Sequence, residues 1–284
     1  MATHIRANPN IHGLTPPNSS EETKLSQYAD DTSLLLTDVT SIPHPFATLE
    51  LYEKASGARV NTMKCKGLWA GAFKHCTDQF LGFDWFNDYI PEKMLGLYFG
   101  NIDCTRLNLQ PRISKIKNTI TAWSNRNLSF KGKTLVINGL LTSVLWYHAT
   151  ALPIPAWAVR DIEQSIYHFF WSNKMPLVKQ DMLALPRDEG GFNVHRIGPK
   201  ITALHLSTLH RYLDPEQASW KYFVTHYLRL TGQQLGARIL STQFKPQHID
   251  QSIPTIHREL LLTWTKLYQH VTKSGSNPYS SIPG

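Results

Sequence analysis

A chain of 284 residues, 42% hydrophobic and 18% charged, with 8 Trp, 11 Tyr and 12 Phe, has a globular composition and can bury a core in one large or two modest domains. Its formal net charge of +8 points to a polyanionic partner, either nucleic acid or an acidic membrane surface. Cys65, Cys76 and Cys104 contain no CxxC pair and leave an odd count, which argues against a zinc site or a disulfide framework and for reduced thiols in an intracellular protein.

Met1 to Asn8 reads as the last turns of a helix, broken at Asn8-Pro9-Asn10. It lacks the apolar core and small-residue cleavage site of a signal peptide, so secretion is not expected. A polar loop from Pro16 to Thr23 then leads into Tyr28-Ala29-Asp30-Asp31, set between short apolar segments. That pattern predicts a tight hairpin with both acids near its tip. Two carboxylates a few Å apart do not both ionise cheaply. They form either a plain solvated turn or part of a site for an oxygen-seeking divalent cation, as paired carboxylates hold Mg²⁺ in phosphoryl-transfer enzymes. Ile42-Pro43 opens a helix with Phe46, Leu49 and Tyr52 on one side and a stop at Ser56-Gly57. Arg59 to Trp69 reads as short extended segments around a basic turn, and Leu95 to Gly100 as a strand bounded by glycine.

From Ile102 the periodicity is helical. Ile113, Ile116, Ile120 and Trp123 mark a one-sided helix. Ser129 to Leu152 is apolar nearly all round, which predicts a helix central to the core. Asn138, Ser143, His148 and its threonines argue against a bilayer span, which needs about 20 predominantly apolar residues. After Pro153 and Pro155 comes a helix carrying Val159, Ile162, Ile166 and Phe169, then a loop with Pro186 and a Gly190-Gly191 turn. Further helices are expected near 201–213, 220–230 and 256–271, followed by a polar, disordered tail. The fold class is α+β, a small α/β piece joined near residue 101 to a helical one.

Charge is distributed unevenly. Between Cys104 and Arg160 there is no Asp or Glu, while Arg106, Arg112, Lys115, Lys117, Arg126, Lys131, Lys133 and Arg160 supply eight positive charges. Solvated faces usually mix signs, so a phosphate-contacting surface is favoured over a merely basic exterior. On a helical wheel Lys115 and Arg126 fall off the arc of the isoleucines. His205 and His210, five apart, do not stack as a metal pair, and no Walker or dinucleotide signature occurs.

Taken in order, these pieces resemble the reverse transcriptase of LINE-type (non-LTR) retrotransposons over roughly residues 1 to 230. Leu25-Ser26-Gln27-Tyr28-Ala29-Asp30-Asp31-Thr32 is similar to motif C, the Y/FADD hairpin of the palm. Ala55-Ser56-Gly57-Ala58-Arg59-Val60-Asn61 with Lys64 is similar to motif D, and Lys93 to Gly100 to motif E, the primer grip. Trp123-Ser124, Leu128-Ser129-Phe130-Lys131-Gly132-Lys133, Leu152-Pro153 and Phe169-Phe170-Trp171 resemble the thumb. Pro186 with Gly190-Gly191-Phe192 resembles the helical connector that follows it.

The resemblance implies a palm remnant over 1–100, a helical thumb over 101–175, a helical connector over 176–272 and a tail over 273–284. It implies two-metal nucleotidyl transfer, with Asp30 a catalytic Mg²⁺ ligand, Asp31 a supporting one and Tyr28 near the primer terminus. Lys64 is the general-acid candidate, or else a plain surface lysine beside Lys66. Tyr28, Arg112, Lys115, Lys117, Arg126, Lys131 and Lys133 are the expected contacts to RNA, DNA or a primer–template duplex, in the nucleus or cytoplasm and away from membranes. The motif A aspartate and motif B precede motif C in this family, yet only 27 residues precede Tyr28, and none resembles either. The expectation is therefore an N-terminally truncated polymerase fragment, inactive alone and weak or lacking in Mg²⁺ binding. The alternatives are a non-catalytic nucleic-acid-binding protein and a helical protein-interaction scaffold.

Overall fold

A computed structural model describes residues 1–87, 90–232, 238–240, 242 and 244–273, with side chains through Gln269. The expected tail lies, from residue 274 on, outside the described residues. The fold is α+β. Two compact units divide the chain, one made of Met1–Cys104 with Gln217–His226, the other of Thr105–Glu216 and the chain from Tyr227 onward.

The first unit begins with helix α1 (Ala2–Ala7), whose Ile5 packs with Ile11 and Leu25 in a small core bordered by Leu34 and Leu36. Strands β1 (Leu25–Tyr28) and β2 (Asp31–Leu34) pair antiparallel with Tyr28 opposite Asp31. Helix α2 (Pro43–Ser56) starts with proline in its first turn, where no amide donor is needed, and stops at Gly57 with a left-handed φ of 72°. Its approach is fixed by Asp38, which accepts from the Thr40 hydroxyl (2.6 Å), the Ser41 amide and hydroxyl (2.8 and 3.0 Å) and the His12 ring (2.7 Å). Led by the Thr40 bond, these contacts hold the Asp38 carboxyl well below the usual carboxylate range.

A 3-10 turn, Thr62–Lys64, interrupts the stretch expected to be extended. It precedes β3 (Lys66–Leu68), which pairs parallel with β4 (Asp84–Phe86). Gly67 lies beneath the Trp85 indole, where a Cβ would come within 2.2 Å of a ring carbon. The Trp85 ring in turn stacks on Trp69 (4.6 Å) and Phe83 (5.6 Å). The expected strand from Leu95 to Gly100 is instead half of a hairpin, β5 (Glu92–Met94) and β6 (Leu97–Phe99). Leu95 (φ 49°) and Gly96 (φ 83°) form its two-residue turn, and positive φ at both positions matches the twist of an antiparallel pair.

Helices α3 (Thr105–Ser124), α4 (Phe130–Val136), α5 (Ser143–Ala151) and α6 (Ala156–Phe170) build the second unit's core. Short α7 (Gln180–Ala184) and long α8 (Ile197–Leu213), α9 (Ser219–Gly232) and α10 (Thr255–Lys273) follow. The core joins Leu109, Ile113 and Ile116 of α3 to Leu141, Leu145 and Ile162, and runs on to Leu183, Val194 and Ile197 without a break at residue 176. One π-helical turn, Ile137–Leu141, separates α4 from α5. It aims Asn138 at the loop before α8, where the amide donates to the Asn193 carbonyl (2.8 Å) and accepts from the His195 amide (3.0 Å). Ser129 to Leu152 is thus not buried all round. Leu145 and Ala149 are sealed, while Leu135, Leu140 and Tyr147 face out. Across the same loop Glu163 of α6 accepts from the Ile197 and Gly198 amides (3.0 and 3.4 Å), so a carboxylate caps the positive end of α8. No helix among the described residues is long and apolar enough to cross a membrane.

Candidate nucleic-acid interface

Helix α3 buries its isoleucine stripe and turns its cations outward. Arg106, Lys115 and Lys117 are exposed, as are Arg126 and Lys131 beyond the helix and Arg160 on α6. Two of these guanidinium groups lie over indole rings, Arg106 on Trp157 (5.6 Å) and Arg126 on Trp123 (4.3 Å). Stacking holds the planar cation in place while leaving its N–H edges able to meet an oxyanion. Lys117 pairs with Asp161 (2.8 Å), the first acid beyond the acid-free stretch. Both partners are solvated, so the pair contributes little and can yield to a phosphate. Arg112 is half-buried, and its Nε is enclosed without a hydrogen-bond partner.

Lys133 departs from the expected contact set. It is buried, and its ammonium donates to the Phe170 carbonyl (2.9 Å) and to the Ser172 hydroxyl. Burial, with Lys174 adding repulsion, pushes this amine below the ordinary lysine value. The reason is positional: Lys133 and Thr134 share the inward side of α4 with Val136, so the cation ends against the carbonyl terminus of α6. It is a buried structural cation, and the exposed set stands without it.

In the first unit the hairpin brings Tyr28, Asp30 and Asp31 together. Ala29 opens the turn at φ 54°, Asp30 completes it and Asp31 starts β2. All four residues are exposed, Tyr28 at 71%. The Ser33 hydroxyl donates to the Met94 sulfur (3.3 Å), which joins this hairpin to the β5–β6 hairpin. Lys64 ends the 3-10 turn on a different element and is also exposed. Among the described residues no three His, Cys, Asp or Glu side chains group closely enough to hold a metal ion. Asp30 and Asp31 are the carboxylates that could contribute to a site for Mg²⁺, a cation usually bound through one or two carboxylates with water and phosphate oxygens completing its shell.

No family model matches the sequence. Over 265 residues, 90% of its length, the chain is 26% identical to the Transposon TX1 uncharacterized 149 kDa protein of Xenopus laevis. The relative is transposon-encoded. That similarity supports a transposon origin for the chain, which spans 20% of the relative's length.

Proposed function

We propose that this chain is part of a LINE-type RNA-directed DNA polymerase, comprising the C-terminal palm, thumb and connector, and that its own contribution is to bind nucleic acid. The observation that carries the binding role is the exposed set Arg106, Lys115, Lys117, Arg126, Lys131 and Arg160, drawn from a stretch of sequence without Asp or Glu. The polymerase assignment rests on the order of the resembling motifs and is supported by the likeness to a transposon protein. In this reading Asp30 and Asp31 are two of the carboxylates of a Mg²⁺ site that needs a further ligand, and Lys64 is the general-acid candidate. Leu135, Leu140 and Tyr147, exposed on the second unit, favour the scaffold alternative.

Salt-dependent binding tests the proposal. If about four phosphates of a single strand are engaged, log K falls with log salt at a slope near −3, from ~0.7 per contact. Backbone contacts position without specifying, so affinity tolerates changes of sequence. Lys115→Glu with Arg126→Glu is expected to flatten the slope and weaken binding of RNA and primer–template duplex alike. Unchanged affinity and slope in that variant, with its fold verified by circular dichroism, would leave the scaffold alternative standing.

A further inference from the structure

The loop after α6 holds its apolar side chains in water. Met175 is 87% and Leu177 78% exposed, with exposed Pro176 between them and exposed Lys174 and Lys179 on either side. No Asp or Glu occurs from residue 164 to residue 180. The loop is anchored at both ends. Ser172 and Asn173 take left-handed φ values of 52° and 57°, and the buried Lys133 ammonium holds the Ser172 hydroxyl. Asn173 and Lys174 amides donate to the carbonyls of His168 (2.9 Å) and Trp171 (3.0 Å). At the far end the Tyr167 hydroxyl donates to the Val178 carbonyl (3.1 Å). Uncovered apolar side chains on anchored backbone are the usual mark of a contact surface.

Charge and position indicate what covers them. The loop leaves α6 where the Phe130 ring stacks on Phe170 (5.1 Å) and meets Trp171 (5.5 Å). Exposed Lys131 is the next residue, so the start of the loop, at Phe170 and Trp171, lies beside the Lys131 end of the basic surface. An apolar protein face would leave three lysines uncompensated. Nucleic acid satisfies both chemistries at once, because phosphates meet the lysines and base faces cover the methionine and leucine. Met, Leu and Pro are also among the side chains that wedge between base steps.

We propose that Met175-Pro176-Leu177 is a wedge that packs on an exposed base face at the end or at a step of a duplex, while Lys174 and Lys179 engage the flanking phosphates. This rests on the nucleic-acid reading above and adds to it the place where bases are touched.

The test uses the 284-residue chain and a primer–template duplex carrying 2-aminopurine at its terminal step. Wild type is expected to raise the 2-aminopurine fluorescence on binding. Met175→Ser with Leu177→Ser is expected to lose that rise and weaken binding about tenfold, from the loss of apolar contact with the base, with the salt slope kept. Leu177→Asp, a single exposed change that sets a carboxylate against the base, is expected to lose the rise too. Lys115→Glu with Arg126→Glu lowers the slope yet restores the rise at saturating protein. If the loop variants match wild type in rise and affinity while the slope persists, the wedge is wrong and the basic-face reading survives. Absence of salt-dependent binding by wild type overturns both. If the loop variants instead change self-association in sedimentation, or abolish binding to phosphatidylserine vesicles, the tip is a protein or lipid surface and the wedge is rejected.

Discussion

Lys133 illustrates how one side chain can reverse its role between sequence and fold. In the sequence it is one cation in a row of eight; in the structure its ammonium lies 5.9 and 6.0 Å from the Phe130 and Phe169 ring centres and closes the end of α6. Lys133→Met keeps the stem and removes the charged donor, leaving the Phe170 carbonyl without its partner. The expected loss is about 2 kcal/mol of stability, the worth of a hydrogen bond to a charged group. Chemical denaturation measures it. The salt slope of nucleic-acid binding by the folded variant is expected to equal that of wild type, which separates Lys133 from Lys115 and Arg126.

At the scale of elements, the β1–β2 hairpin and α3 differ in how much of their chemistry is local. The hairpin's two-residue turn, with Tyr28 opposite Asp31, follows from apolar segments on either side of a short polar break. Its catalytic potential does not, because nucleotidyl transfer needs both metal ions clamped by more carboxylates than this turn contains. Purified 284-residue chain is therefore expected to give no primer extension with Mg²⁺ or Mn²⁺, and Asp30→Ala is expected to change nothing in that assay. Extension by wild type that Asp30→Ala abolishes would show that the hairpin finds its missing ligand within the chain. The helical face is more self-contained. The isoleucine stripe of α3 fixes which side turns inward, and the cations off that arc face water by geometry alone.

Across the whole molecule, pH distinguishes the two units. Burial pushes His195, His205 and His257 of the second unit below the ordinary imidazole value of 6.5. As pH falls through 6.5 the unfolded chain takes up those protons first, so stability drops with acidification from there toward the lower folded values. Asp38 of the first unit is displaced in the same direction but from a lower ordinary value: its stabilisation is present above 3.8 and is lost only as pH falls below that. Thermal unfolding followed by tryptophan fluorescence is expected to lose midpoint between about pH 7 and about pH 5, and His205→Gln to flatten that decline. A midpoint constant over this window would remove the histidines as its source.

The sequence by itself determined the order of elements wherever a local signal was strong. The α1 break at Asn8-Pro9, the acid-tipped hairpin, the α2 stop at Gly57 and the spacing of Ile113, Ile116, Ile162 and Ile166 each depend on a few neighbouring residues, and each stands as read. Elements built by distant partners were not legible. Strand β4 is three residues long and exists through its pairing with β3 and the stacking of Trp85 on Trp69. The turn at Leu95-Gly96 sits inside an apolar run, and only the pairing of β5 with β6 splits it. The π turn at Ile137–Leu141 answers to the loop that Asn138 binds more than fifty residues later. For Lys133 and Lys117 the tertiary structure decided, because the burial of the one and the pairing of the other depend on where α6 packs. It decided equally that the loop carrying Met175 and Leu177 is anchored at both ends and holds those two side chains in water.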